Sequence, residues 1–277
     1  MRAAIFALSA SLLCAVPVLA EPEEPRGAPE RAKRDPAAMS VDEIAACMRA
    51  NVVDRGSLRE IEVESLDAAG GATRLRMKLF WKPTKDTRET RMTLRVVAPS
   101  DVAGWANLVV SRPDGEDVYL YLPALGRVDR LIGGDRTRKL LGTDFTYAEI
   151  QQLQGMLLGG TTARATDAKS LERDAFVLDT KTDPEATGYV KVRSFVDQAT
   201  CTLLKAELFA VPEAPRKVLE ASIASLVEVE PYWLMLGYQL TDRAEGTVTR
   251  VQLSDVYLLE RLDDALFEPA SFYRVEP

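Results

Sequence analysis

The sequence contains no histidine in its 277 residues. That absence removes Ser-His-Asp triads, Cys-His pairs, histidine general bases and nearly all zinc or iron sites. Catalysis would have to come from carboxylates, lysine, tyrosine or a lone thiol. Cysteine is scarce, with three residues, and Cys14 lies in a leader. Beyond that leader no apolar run is long enough for a spanning helix. Positive charge is in deficit: 35 Lys and Arg face 42 Asp and Glu, for a net charge of −7. An acidic chain is a poor partner for nucleic acid or an anionic membrane, so neither is expected.

What is present begins with MRAAIFALSASLLCAVPVLA, residues 1–20. Arg2, an apolar run and Val18-Leu19-Ala20 form the pattern of a signal peptide. Cys14 follows Leu13, which is not small, so soluble export is expected rather than lipid attachment. Residues 21–38, EPEEPRGAPERAKRDPAA, hold four prolines and read as a disordered leader. Residues 39–277 suit a single domain. Cys47 and Cys201 remain. In an exported chain they fit a disulfide, and two separate buried thiols are the alternative.

A helix is expected after Ser40, which with Glu43 makes a capping box; Val41, Ile44, Ala45 and Met48 share one face. The apolar period then changes from 3.6 to 2. In RLRMKLFW, Leu75, Met77, Leu79 and Trp81 point one way, and Arg74, Arg76, Lys78 and Phe80 the other. RMTLRVV sets Met92, Leu94 and Val96 against Arg91, Thr93 and Arg95. Such alternation predicts a sheet with one apolar and one solvated face. About a dozen such segments, joined by short turns, predict a mainly β antiparallel meander: one large, strongly curved sheet or barrel.

GTDFTYAEI, 142–150, breaks the pattern. Thr146 and Glu149 form a second capping box, flanked by Phe145 and Ile150 as a hydrophobic staple. A helix is expected to end at Gly155, with Asp144 favoured beside its positive end. The glycines of RLIGGDR do not abut this helix start, which argues against a phosphate loop. Phe145, Ile150, Leu153, Met156 and Leu157 give the segment an apolar underside, and Gly155, Gly159 and Gly160 flank it as hinges. It fits a plug in a barrel end or a lid.

LFWKP, MTLRVVAP, LVVSRPDGEDVYLYLPAL and LLGTDFTYAEI, followed by VKVRSFVDQATCTLLKAELF and DVYLLERLDDALFEPASF, resemble the outer-membrane lipoprotein-sorting protein family. This is the larger, signal-bearing group similar to the periplasmic carrier LolA, and the resemblance spans about residues 40–275. Cys201 departs from the basic or aromatic residue usual at that corner. The resemblance implies an incomplete β-barrel of about eleven antiparallel strands with helices covering the mouth, located in the periplasm. It implies a monomeric carrier that escorts acyl chains of a lipid or lipoprotein between membranes, served by an inner-membrane lipid exporter and an outer-membrane acceptor. No catalytic residue, metal or cofactor is implied.

On this reading the cavity wall is Leu75, Met77, Leu79, Trp81, Met92, Leu94, Val96, Tyr119, Tyr121, Trp233 and Met235. The lid helix is Phe145, Ile150, Leu153, Met156 and Leu157. The wall residues fit an ordinary filled core equally well. Arg91 fits either a lid-holding arginine or a solvated one. Trp233, in EPYWLML, fits a rim platform or a core corner. A rival is a non-enzymatic adaptor in an envelope export complex. The acid pairs Asp114 with Glu116 and Asp263 with Asp264 sit in turns, where solvated carboxylates are ordinary, which argues against a hydrolase.

Overall fold

The computed structural model describes residues 35–84, 89–112, 115–132, 136–154 (151–154 as backbone alone) and 161–274. The segment from Arg34 onward forms one compact unit. Its first helix, α1 (Val41–Arg49), starts where the capping box requires. Ser40 Oγ accepts from the Glu43 N–H at 3.3 Å, and the Glu43 carboxylate accepts from the Ser40 N–H at 3.0 Å. Ile44 and Met48 are fully buried against Phe176, Leu178, Val196 and Cys201. Cys47 and Cys201 form a disulfide across 154 residues, which fixes this helix to the far half of the chain. Just ahead of α1, Pro36–Ala38 make a 3-10 turn whose carbonyls accept from Arg164.

Six strands follow in a simple meander: β1 (Gly56–Leu66), β2 (Ala72–Thr84), β3 (Glu89–Ala98), β4 (Ala106–Arg112), β5 (Gly115–Leu122) and β6 (Arg127–Leu131). Helix α2 (Tyr147–Gln154) lies between β6 and β7 (Thr161–Arg164). Then come β8 (Ala168–Ser170), β9 (Arg173–Lys181), a single turn α3 (Pro184–Thr187), β10 (Lys191–Asp197), β11 (Leu203–Phe209) and β12 (Lys217–Ala221). The chain ends with β13 (Leu226–Val229), β14 (Tyr232–Met235), β15 (Gly237–Asp242) and β16 (Thr247–Leu259).

The main sheet runs β6-β5-β4-β3-β2-β1-β16-β15-β12-β11-β10-β9-β7, with β8 beside β9. Every pairing is antiparallel, and the two halves meet where β1 lies along β16. The sheet is not closed: its ends are β6 and β7, which are consecutive in the chain. The described residues form sixteen strands rather than about eleven. The excess comes from very short strands and from KVLEASIASL. A 3-10 turn at Ile223–Ser225 splits that segment into β12 and β13, and β13 pairs only with β14 in a separate hairpin.

Five strands separate β3 from β11 in the sheet order. A flat sheet would hold them about 29 Å apart. Met92 and Leu94 of β3 nevertheless line the same hollow as Leu203 of β11, so the sheet curls strongly.

The outer face of β2–β4 differs from the expected solvated one. Phe80, Ala106, Leu108 and Val110 pack there against Leu266, Phe267 and Phe272. Thr93 Oγ1 donates to the Leu266 carbonyl at 2.6 Å, and Arg95 donates to the Tyr273 carbonyl at 3.1 Å. Arg91 is half-buried between Glu89 and Glu268. Arg91 and Arg95, which alternation places outside, are therefore fasteners for the C-terminal segment. Phe80, apolar among charged neighbours, was the mark of that cover.

Candidate ligand cavity

Inside the curl lies a cavity of about 290 Å³, just below the usual range of about 300–1,000 Å³ for ligand pockets. Its wall comes from alternating residues of the central strands: Ile61 and Val63 of β1, Met77, Leu79 and Trp81 of β2, Met92 and Leu94 of β3, and Val251 and Leu253 of β16. Register explains the shared face. Ile61 lies opposite Met77, Leu79 opposite Leu94, and Trp81 opposite Met92. The lining is overwhelmingly apolar, and among the described residues it contains no carboxylate.

Three pieces of chain complete the enclosure. The first is the exit of α1, Asn51–Val53. Asn51 is buried; its amide donates to the Thr200 carbonyl at 2.7 Å and its oxygen accepts from the Trp233 N–H at 3.0 Å. The second is the β13–β14 hairpin and its exit, which contribute Trp233, Leu234, Met235 and Leu236. Tyr232 anchors that hairpin by donating to Asp54 at 2.5 Å. The third is the segment leading into α2, with Leu140, Thr143, Phe145 and Ile150.

The start of α2 is held by a buried polar network. The Thr146 N–H donates to the Glu149 carboxylate at 2.7 Å, and the Glu149 N–H donates to Thr146 Oγ1 at 3.2 Å, so the second capping box is formed. The same carboxylate accepts from Lys217 Nζ of β12 at 2.9 Å and from the Tyr189 hydroxyl. Burial and the neighbouring Glu149 push the Tyr189 phenol well above its ordinary pKa, so it stays a donor. Lys217 also donates to the Asp144 carbonyl at 2.5 Å. Asp144 does more than favour a helix start: its carboxylate accepts from Thr247 at 2.6 Å, Thr249 at 3.0 Å and Lys139 at 3.1 Å. The segment is thereby tied to both β12 and β16.

Of the wall residues expected from sequence, the structure brings together Met77, Leu79, Trp81, Met92, Leu94, Trp233 and Met235 on the cavity. Leu75 and Val96 lie in the same apolar cluster but not on the cavity surface. Tyr119 and Tyr121 are on the other face. In β5 the inward phase belongs to Val118 and Leu120, while Tyr121 stacks on Tyr273 with ring centroids 3.9 Å apart. From the lid set, Phe145 and Ile150 line the cavity. Leu153 is in α2, and its side chain, with Met156 and Leu157, lies outside the described residues. Asp263 caps the turn Asp264–Phe267 and Asp264 pairs with Lys82, so these two carboxylates serve separate structural contacts. Glu116 accepts from Ser111 at 2.7 Å; Asp114 is outside the described residues.

Several cavity residues lay outside the expected set, Ile61, Val63, Val251 and Leu253 among them, and so did two charged site residues. Arg59 lines the cavity, and Lys217 lies beneath α2. Both were marked by strand phase, since Arg59 alternates with Ile61 and Val63, and Lys217 with Leu219.

Solved structures share the open, curled antiparallel sheet. A domain described as an outer membrane lipoprotein-sorting protein, from Vibrio parahaemolyticus, superposes with a TM-score of 0.74 at 24% identity, covering 84% of this chain and 97% of that one. A DUF1329 family protein from Desulfovibrio piger gives 0.74 at 21% identity, over 81% and 94% of the two chains. A LolA superfamily protein from Nitrosomonas europaea gives 0.65 at 15%, over 83% and 98%. In sequence, the family model that matches residues 88–274 carries the description "Uncharacterized protein", and the chain belongs to that family. No curated protein matches the sequence.

Proposed function

We propose that the protein is a non-enzymatic carrier that shelters the acyl chains of a lipid or lipoprotein in this cavity. It escorts them through the periplasm, from an inner-membrane exporter toward an outer-membrane acceptor. The observation that supports the reading is the hollow itself: bulky Met, Leu, Val and Trp side chains line it, yet they do not fill it. A well-packed domain leaves few voids larger than a water molecule. Leaving one sixteen-carbon chain in water costs on the order of 12 kcal/mol, at about 0.8 kcal/mol per methylene. A bilayer is already dry, so an apolar hollow roughly breaks even on that term and allows release as well as capture. Among the described residues no helix is long and apolar enough to cross a membrane. The fold of the solved neighbours agrees with the reading.

Native mass spectrometry of the gently purified protein tests it. A carrier retains lipid-sized mass that organic solvent extraction removes. A protein that emerges bare from every mild preparation, and takes up no acyl chain from added lipid, is not a carrier.

A further inference from the structure

Five polar or charged residues line the apolar cavity: Asn51, Arg59, Thr143, Thr202 and Tyr238. Four of them have their side chains engaged. Asn51 bridges Thr200 and Trp233. Thr143 Oγ1 lies 3.4 Å from the Phe145 carbonyl, Thr202 bonds Thr200 at 2.9 Å, and the Tyr238 hydroxyl donates to the Leu203 carbonyl at 3.2 Å. Arg59 is the exception. Its Nε is buried without a hydrogen-bond partner, and it forms no ion pair among the described residues. It keeps some accessible surface although protein surrounds it nearly completely, and that surface is on the cavity lining.

The placement is fixed by the sheet. Arg59 lies opposite Leu79 on β2 and opposite Val256 on β16, and both of these residues also line the cavity. The other arginines of the first three strands are on the outer face or paired: Arg74 with Glu64, Arg91 with Glu89 and Glu268. Burial lowers the Arg59 pKa, yet a guanidinium remains charged in any protein setting. A permanent cation with five donors therefore faces an apolar hollow whose described lining has no carboxylate to meet it. An uncompensated charge in such a place is costly unless something pairs with it.

We infer that the cavity takes an amphiphile with an anionic head, a carboxylate or a phosphate, which pairs with Arg59 while its acyl chain lies along the Met77, Leu79, Met92 and Leu253 wall. The inference rests on the cavity being a site for acyl chains and narrows it: an acidic lipid fits, a neutral acyl group leaves Arg59 unpaired. Guanidinium suits both heads because its planar fork donates two parallel hydrogen bonds to two oxygens of one group.

The test is a titration of the full-length protein, followed by fluorescence of the cavity tryptophans, with dodecanoate, dodecyl phosphate and dodecanol. All three share one chain length, and only the first two are anions. Wild type is expected to bind at least one anion roughly tenfold more tightly than dodecanol, the scale of one charge-assisted hydrogen bond. Arg59→Met is expected to erase that preference, and Arg59→Lys to keep part of it. Preference for dodecanoate assigns a free-acid head; preference for dodecyl phosphate assigns a phosphate head. Equal binding of all three by wild type overturns this inference and leaves the acyl cavity standing. So does an anion preference that survives in Arg59→Met. Binding of none overturns the cavity reading and this inference together. The wild-type comparison needs no variant, so it decides even if Arg59→Met does not fold.

Discussion

Lys217 Nζ lies 2.9 Å from Glu149 Oε1, and both side chains are almost wholly removed from water, at 2% and 3% exposure. The contact joins α2 to a strand 68 residues further along the chain. It is one of the ties between the segment over the cavity and the wall beneath it.

Removal of either partner leaves the other charged and buried. Lys217→Met and Glu149→Gln are each expected to destabilise the protein by about 3–5 kcal/mol in urea unfolding. The double variant should lose clearly less than the sum of the two. Strict additivity would show that the charges do not interact.

Filling the hollow should abolish uptake without harming the fold. Leu253 lines the cavity and is only partly buried. Leu253→Trp is expected to lower retention of bound lipid at least tenfold by native mass spectrometry, while the unfolding midpoint stays within the scatter of a tolerated substitution, about 0.5 kcal/mol. Unchanged retention would place the ligand elsewhere.

The Cys47–Cys201 bond closes a loop of more than 150 residues. In the chain-entropy description its loss costs about 5 kcal/mol. The variant Cys47→Ala with Cys201→Ala should unfold at a lower urea concentration than the oxidised wild type. Reductant should lower the wild-type midpoint and leave the variant unmoved.

Asp197 carries a pH dependence. Burial alone would raise its pKa, but paired bonds from Arg173, both at 2.8 Å, and bonds from Thr200 outweigh it and hold the carboxyl below its ordinary 3.8. A depressed folded pKa contributes stability that is present above about pH 4 and is lost as pH falls through the folded value. Asp197→Asn is expected to cost about 1.5–3 kcal/mol at pH 7, toward the lower end because Arg173 is partly exposed. The gap to wild type should narrow toward pH 2. A gap of constant size across that range would remove the ionised carboxylate from the account.

Much of this was legible in the residues. Ser40 with Glu43 and Thr146 with Glu149 announced both longer helices, because a capping box is a local arrangement that needs no distant partner. Alternation in β2 and β3 placed Met77, Leu79, Trp81, Met92 and Leu94 on one surface. Tyr119 and Tyr121, expected on the wall, lie on the other face because Val118 and Leu120 hold the inward positions of β5. The partner of Phe80 could not be read, since Phe267 lies far along the chain and nothing in β2 encodes it. Strand phase marked Lys217, but a buried lysine is intelligible only once Glu149 is beside it.

The two unpaired borders of the sheet, β6 and β7, are neighbours in sequence, and the chain between them carries Asp144 and Glu149. That stretch acts as a lace across an unzipped seam. Among the described residues that lace is knotted to β16 through Thr249 and to β12 through Lys217. The bonds that bring Phe145 and Ile150 down onto the hollow are thus the ones that hold the lace to the far half of the sheet, so loosening the cover means untying it from β12 and β16.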